Sequence, residues 1–105
     1  MCNELVSTDL AQVEGLASNE SYVKADLADL DSICALMEGA EMVVHFGAIP
    51  DEDTFDNLLG PNFIGAYNVW EAAWRAGARR VIYASSIHAV GMYPKTQFID
   101  SNVAH

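Results

Sequence analysis

A short apolar run, Val81-Ile82-Tyr83, stops abruptly at two serines, Ser85 and Ser86. The run is rich in β-prone residues and lacks the alternation of a half-exposed strand, so it predicts a parallel strand covered on both faces. Ligands of open α/β sheets bind beyond the carboxyl ends of the strands. The two serines therefore lie where chemistry is expected, although a plain Ser-Ser turn is an alternative interpretation of the same residues.

Three further segments are predicted to be strands with small or acidic residues at their ends. Residues 42–46 run into a Gly-Ala-Ile-Pro segment at 47–50, residues 5–8 end at Asp9, and residues 22–25 run into Asp26. Small residues directly after a parallel strand let a ligand approach the backbone closely. Four such strand ends along one edge predict half of a dinucleotide-binding sheet.

Helical patterns separate these strands, which indicates β-α-β units and a parallel sheet. A first helix is predicted over residues 29–38, with Asp29 or Asp31 as its N-cap and Gly39 at its end. A second helix is predicted from about Pro61 to residue 76, where Gly77 ends it. Four aromatic residues on this helix, spaced by four, three and four positions, predict core packing: Phe63, Tyr67, Trp70 and Trp74.

The composition bounds the class of protein. The 105 residues suffice for one domain over 1–105, and a hydrophobic content of 51% suffices for a core. The net charge of −10 argues against nucleic acid or an anionic membrane as partner. No apolar run approaches the roughly 20 residues of a membrane span, so a soluble, cytoplasmic protein is expected. Cys34 and His45 are interpreted as packed core residues rather than metal ligands.

Four stretches carry a family resemblance: ADLAD at 25–29, VVHFGAIP at 43–50, NFIGAYNVWEAA at 62–73 and VIYASSIHAVGMYP at 81–94. In this order and spacing they resemble the extended short-chain dehydrogenase/reductase family, the NAD-dependent epimerase/dehydratase group. Within it, the sugar-acid branch of uronate dehydrogenases is the most similar. The resemblance implies part of a Rossmann-like, doubly wound parallel α/β sheet with helices on both faces. The family's first strand and glycine-rich loop have no counterpart in these residues.

The resemblance also implies an activity for the intact protein. It would be an NAD-dependent oxidoreductase that moves hydride from C1 of a cyclic sugar acid to NAD and gives an aldonolactone. An NAD-dependent nucleotide-sugar epimerase or dehydratase is the alternative within the superfamily, and a non-catalytic, truncated interaction module is the alternative outside it. None of the chain's tyrosines has a lysine four residues later, so the family's Tyr-x-x-x-Lys pair is missing and the chain alone is expected to be inactive. A homo-oligomer of the intact enzyme stays open.

Several residues match the family's cofactor contacts. Asp9 matches the acidic residue that accepts from the ribose hydroxyls of the adenosine and disfavours a 2′-phosphate, so NAD is expected rather than NADP. A helix cap is the alternative role for Asp9, and also for Asp26. Asp26 and Leu27 match the residues that flank the adenine ring. The stretch that lies along the ribose and pyrophosphate corresponds to Phe46, Gly47, Ala48 and Ile49.

Other residues match positions at the reacting end of the site. Asn62 matches the asparagine that contacts the cofactor or supports the strand ends. Ser86 matches the catalytic serine, which binds the reacting oxygen and orients it. Ile87 and Pro50 stand where uronate dehydrogenases carry polar substrate contacts, and His88 matches the histidine that follows.

Overall fold

The computed structural model describes residues 3–86, 91–98, 100 and 102. No helix is described between the first two strands, contrary to the predicted alternation, whereas helices separate the later strands. One π-helical segment, Leu59–Ile64, joins two α-helices. In chain order the elements are β1 (Leu5–Ser7), β2 (Glu20–Tyr22), α1 (Leu30–Leu36), β3 (Met42–His45), α2 (Phe55–Leu58), the π-helical segment, α3 (Gly65–Arg75) and β4 (Arg80–Tyr83). Within these described ranges, no helix is long and apolar enough to cross a membrane.

The four strands form two parallel pairs. Leu5 of β1 lies opposite Glu20 of β2, and Met42 of β3 lies opposite Arg80 of β4. Among the residues placed by the structure, the two pairs are not hydrogen-bonded to each other. A doubly wound sheet has one more strand at that position, between β1 and β3. The pairing therefore confirms the predicted partial α/β sheet.

The core lies where α1 and α3 pack together over β3. Ile33 of α1 is fully buried, and Val43 of β3 and Val69 of α3 are nearly so. The remaining buried members are mostly small, which lets the helix backbones approach closely. The apolar core cluster comprises Ala25, Ile33, Met37, Val43, Val69, Ala72 and Ala73.

The predicted ends of α1 are confirmed. The Asp29 carboxylate accepts hydrogen bonds from the backbone N–H groups of Asp31 and Ser32, and it thereby satisfies donors that have no partner within the helix. Gly39 follows α1 with a φ of +76°, a conformation that costs a glycine little. Gly77 plays the same part after α3 with a φ of +72°.

The second helical region begins earlier than predicted, at Phe55 rather than near Pro61. Thr54 is its N-cap, because its hydroxyl accepts from the Asn57 N–H. The helix does not stop at Pro61 because the chain widens into a π-helical turn, in which the Gly65 N–H bonds the Gly60 carbonyl five residues back. Such widening accommodates a proline that would disrupt a regular α-helix.

The aromatic stripe along the π-helical segment and α3 is not in the core, contrary to the prediction. The four side chains are 48–77% exposed: Phe63, Tyr67, Trp70 and Trp74. The buried face of α3 instead carries Asn68 and Val69 with the small residues Gly65, Ala72 and Ala73. Helical periodicity identified a stripe correctly, but the opposite face fits the close packing against α1.

Two strand predictions are also corrected. β2 covers Glu20–Tyr22 rather than residues 22–25, because the Glu20 carboxylate accepts from the Ala17 N–H and the Ser7 hydroxyl and fixes the strand there. β4 is not covered on both faces. Its Ile82 is 45% exposed, since the described residues supply no second layer over it.

Candidate functional site

A groove of about 580 Å³ opens at the carboxyl ends of β3 and β4. It lies between the loop after β3, the loop after β4 and the helical turn that carries Asn62. Seven of the predicted site residues line it: Phe46, Gly47, Ala48, Ile49, Pro50, Asn62 and Ser86. The tertiary structure thus brings together residues up to 40 positions apart, at the sheet edge where the strand pattern predicted a site.

Asn62 holds the loop after β3 through two hydrogen bonds to one residue. Its Nδ2 donates to the carbonyl oxygen of Ile49 at 3.0 Å, and its Oδ1 accepts from the Ile49 N–H at 2.8 Å. The side-chain amide therefore acts as a backbone substitute, as a neighbouring strand would. This geometry gives Asn62 a supporting role at the strand end, while a direct contact with the cofactor stays a prediction.

Leu27 is wedged between the groove loop and the start of α3. A Cβ atom on Gly47 would lie 2.8 Å from the Leu27 Cδ1, and one on Gly65 would lie 2.7 Å from the Leu27 Cβ. Close approach, rather than backbone conformation, therefore requires glycine at position 65, whereas at Gly47 the end of the Leu27 side chain could rotate away. The buried Asn68 adds a hydrogen bond from its Nδ2 to the Leu27 carbonyl oxygen at 2.8 Å.

Asn68 and Gly65 are site-supporting residues that the sequence interpretation missed. Both lie on a helix face that was taken to be the outer one. A polar amide and a glycine three residues apart on one helix were the available signal. Each is explained only by contact with Leu27, which is distant in sequence.

Asp26 lies on the turn just before α1 but is not its cap. Its Oδ1 accepts from the Ala28 N–H at 2.9 Å, and its carbonyl oxygen accepts from the Asp29 N–H at 3.0 Å. Asp29 caps the helix instead. The Asp26 carboxylate is exposed, so its second oxygen can accept a ligand donor.

Asp9 lies apart from the groove, beyond the end of β1. No helix follows it over residues 10–19, so it is not a helix cap. Its Oδ1 accepts from the Ala11 N–H at 2.9 Å. The hydroxyl of Tyr22 lies 2.9 Å from the Asp9 carbonyl oxygen and 2.8 Å from that of Ala11. Asp9 is thus an exposed carboxylate on a turn that its own Oδ1 and the Tyr22 hydroxyl stabilise.

His45 forms part of the groove wall and is buried, as predicted for a core histidine. Its ring centroid lies 5.2 Å from that of Tyr83 on the paired strand. Burial lowers the pKa of His45 below its ordinary 6.5, because a charged imidazolium loses hydration there. The imidazole is therefore neutral at pH 7. No group of metal-ligating side chains occurs in the part of the chain that the structure describes.

The serine segment after β4 reaches the groove. The Ala84 N–H bonds the His45 carbonyl oxygen at 3.0 Å, so the pairing of β3 and β4 extends to the residue just before Ser85 and Ser86. Pro50 also lines the groove and has no backbone N–H to donate. Ile87 and His88 lie outside the described residues.

Comparison with known proteins gives uronate dehydrogenases among relatives of several kinds. The uronate dehydrogenase of Pseudomonas putida is 39% identical over 84 residues, which are 80% of this chain and 31% of that protein. The uronate dehydrogenase of Agrobacterium fabrum is 41% identical over 81 residues, 77% of this chain and 31% of that protein. The chain spans about a third of the length of the curated relatives it matches.

Solved structures agree with these relatives. The glucuronic acid dehydrogenase from Chromohalobacter salexigens superimposes with a TM-score of 0.92 at 34% identity, over 99% of this chain and 39% of that one. A variant of the Agrobacterium tumefaciens uronate dehydrogenase complexed with NAD superimposes with a TM-score of 0.89 at 37% identity, over 97% and 38%. The model of the 3-beta hydroxysteroid dehydrogenase/isomerase family matches residues 5–104. The predicted resemblance to the NAD-dependent epimerase/dehydratase group and its uronate dehydrogenases is therefore confirmed, and the chain belongs to the 3-beta hydroxysteroid dehydrogenase/isomerase family.

Proposed function

We propose that the protein containing this chain is an NAD-dependent dehydrogenase that oxidises C1 of a cyclic sugar acid to an aldonolactone. The observation that carries the proposal is the groove, in which a glycine-containing loop, a supporting asparagine and a serine pair meet at the ends of adjacent parallel strands. The similarity to uronate dehydrogenases supports a sugar acid as substrate.

The residues present fit NAD. The backbone of Gly47 and Ala48 is exposed along the groove, and Asn62 holds that loop through Ile49. Small exposed residues of this kind allow close approach of a dinucleotide. Asp9 and Asp26 present exposed carboxylates that can accept from ribose hydroxyls and from the adenine amine. NAD, when bound, supplies the hydride acceptor.

At the reacting end, Ser86 would bind the C1 oxygen of the sugar acid. A hydroxyl can donate to a developing carbonyl oxygen and accept from the starting alcohol, so it orients the substrate in both states. Pro50 would form an apolar wall beside it, without a hydrogen bond to the substrate.

The general base is proposed to lie outside residues 1–105. A tyrosine ionises near pH 10, and a neighbouring lysine is the usual means of lowering that value. Tyr22, Tyr67, Tyr83 and Tyr93 all lack a lysine four positions later. We therefore propose that residues 1–105 alone do not catalyse the reaction. An NAD-linked reaction and the free thiol of Cys34 favour the cytoplasm as its location.

The test is to supply the intact protein with glucuronate and NAD and to follow NADH by absorbance. We expect NADH formation, and a Ser86→Ala variant should lower kcat by about 10²–10³-fold because the reacting oxygen loses a preorganised donor. Ser21→Ala, an exposed serine on β2, is the matched control. Turnover of a nucleotide-sugar without NADH release would favour an epimerase or dehydratase, and absence of any turnover would favour a non-catalytic module.

A further inference from the structure

Tyr22, the last residue of β2, reaches over the turn that follows the neighbouring strand β1. Its hydroxyl is within hydrogen-bond distance of two carbonyl oxygens, 2.9 Å from Asp9 and 2.8 Å from Ala11. The Asp9 carboxylate closes the same turn, since its Oδ1 accepts from the Ala11 N–H at 2.9 Å. The single hydroxyl proton is shared between these two carbonyls, and one amide of the turn is bound by the carboxylate.

This polar contact is what holds the turn, because apolar packing does not. Leu10, at the centre of the turn, is 57% exposed, and Val13 beyond it is 38% exposed. Tyr22 itself is well fixed: it pairs with Ser7 across the two strands, and the next N–H, that of Val23, bonds the Ser7 carbonyl oxygen at 2.9 Å. A rigid aromatic side chain on a paired strand thus anchors an otherwise exposed turn.

We infer that Tyr22 is a positioning residue that fixes the direction of the Asp9 carboxylate, and that it thereby raises the affinity for NAD and the preference for NAD over NADP. The inference rests on the proposed function, in which Asp9 accepts from the adenosine ribose. With Oδ1 engaged by the Ala11 N–H, the exposed carboxylate keeps its other oxygen for a ligand donor.

Two physical effects follow from a fixed carboxylate. A ligand that meets a preordered acceptor does not have to order the turn on binding, so less binding free energy is lost. A carboxylate that is fixed in place also cannot move away from a 2′-phosphate, so the electrostatic repulsion between the two groups is not reduced. Loss of the Tyr22 hydroxyl should weaken the first effect and relax the second.

The test is the Tyr22→Phe variant of the intact protein, assayed with NAD, NADP and nicotinamide mononucleotide, which lacks the adenosine. We expect about fivefold weaker NAD binding, equivalent to one ordinary hydrogen bond. We also expect a smaller ratio of NAD to NADP affinity. The value of kcat, the KM for the sugar acid and the use of the mononucleotide should not change, because the groove lies on the other strand pair. Tyr67→Phe removes the hydroxyl of an exposed tyrosine on α3 and is the matched control.

A double-mutant cycle with Asp9→Ala separates the inference from the proposal beneath it. If Tyr22 acts through Asp9, adding Tyr22→Phe to Asp9→Ala should cause no further loss of NAD affinity. Additive losses, or an unchanged affinity in Tyr22→Phe where Asp9→Ala has lost it, would overturn the role of Tyr22. An unchanged NAD affinity in Asp9→Ala would overturn the ribose role of Asp9, and the inference with it, while NADH formation would still support the dehydrogenase.

Discussion

In the β3–β4 pair, Val43 and His45 are buried, whereas no residue of β1 or β2 is buried. Both pairs have parallel pairing, so the difference lies in what surrounds the strands. The β3–β4 pair is stabilised by an apolar core. The β1–β2 pair is stabilised by polar contacts such as those of Tyr22 with the turn after β1. Burial of apolar area is much the larger free energy, so the groove is built on the more stable half and the proposed adenosine side on the more adjustable one.

The strongest test of this comparison is to shorten an apolar side chain in each half and to compare the two losses of stability. Ile33→Ala should lower the free energy of unfolding by about 2–5 kcal/mol, because Ile33 is fully buried and its loss leaves a cavity. Val6→Ala in β1, where the side chain is 42% exposed, should cost well under half of that. Urea denaturation of the intact protein measures both. Equal costs would show that the halves are not held differently.

The bridge between the halves offers a second test. Asn68 of α3 donates to the Leu27 carbonyl oxygen on the loop after β2. Asn68→Ala should destabilise the protein by about 1–3 kcal/mol, because the Leu27 carbonyl oxygen loses the buried side-chain amide that donates to it. The exposed Asn57→Ala is the control and should stay within about 0.5 kcal/mol of the parent. A neutral Asn68→Ala would mean that the halves are joined without this bond.

Two glycines of the same helical region, Gly60 and Gly65, allow a test of how closely Leu27 packs against it. Gly65→Ala should cost about 1–2 kcal/mol, because the new Cβ would lie 2.7 Å from the Leu27 Cβ and that atom cannot move away by side-chain rotation. Gly60→Ala should be neutral or slightly stabilising, since its nearest neighbour would be 4.0 Å away. Thermal denaturation of the two variants gives the comparison. A Gly65→Ala protein as stable as Gly60→Ala would contradict the wedge.

The smallest expected effect is a pH dependence of the free energy of unfolding that arises from His45 in the groove wall. Burial lowers the pKa of His45 in the folded state, so the unfolded chain binds more protons between that lowered pKa and 6.5. Stability from this source is present in full above pH 6.5 and is lost as the pH falls below it. Unfolding measured between pH 5 and 8 should show a weaker decline in a His45→Gln variant than in the parent. An identical decline in both would exclude His45 as its origin.

Much of the fold could be predicted because it depends on local patterns. The apolar runs that became β3 and β4 and the cap formed by Asp29 involve neighbours in sequence. The start of the second helix could not be placed from Pro61, because a π-helical turn absorbed the proline. The strand ends and their small residues also predicted where the groove would form.

By itself, the sequence determined the two helical regions, the strand ends that carry the candidate site and the family. Only the tertiary structure decided which face of α3 is buried, and that Leu27 lies between Gly47 and Gly65. Helical periodicity defines a stripe without saying what will pack against it. The contact of Leu27 with Asn68 joins residues 41 positions apart, and the hydroxyl of Tyr22 lies against a turn 11 to 13 positions earlier. Such contacts arise from packing, and no local pattern encodes them.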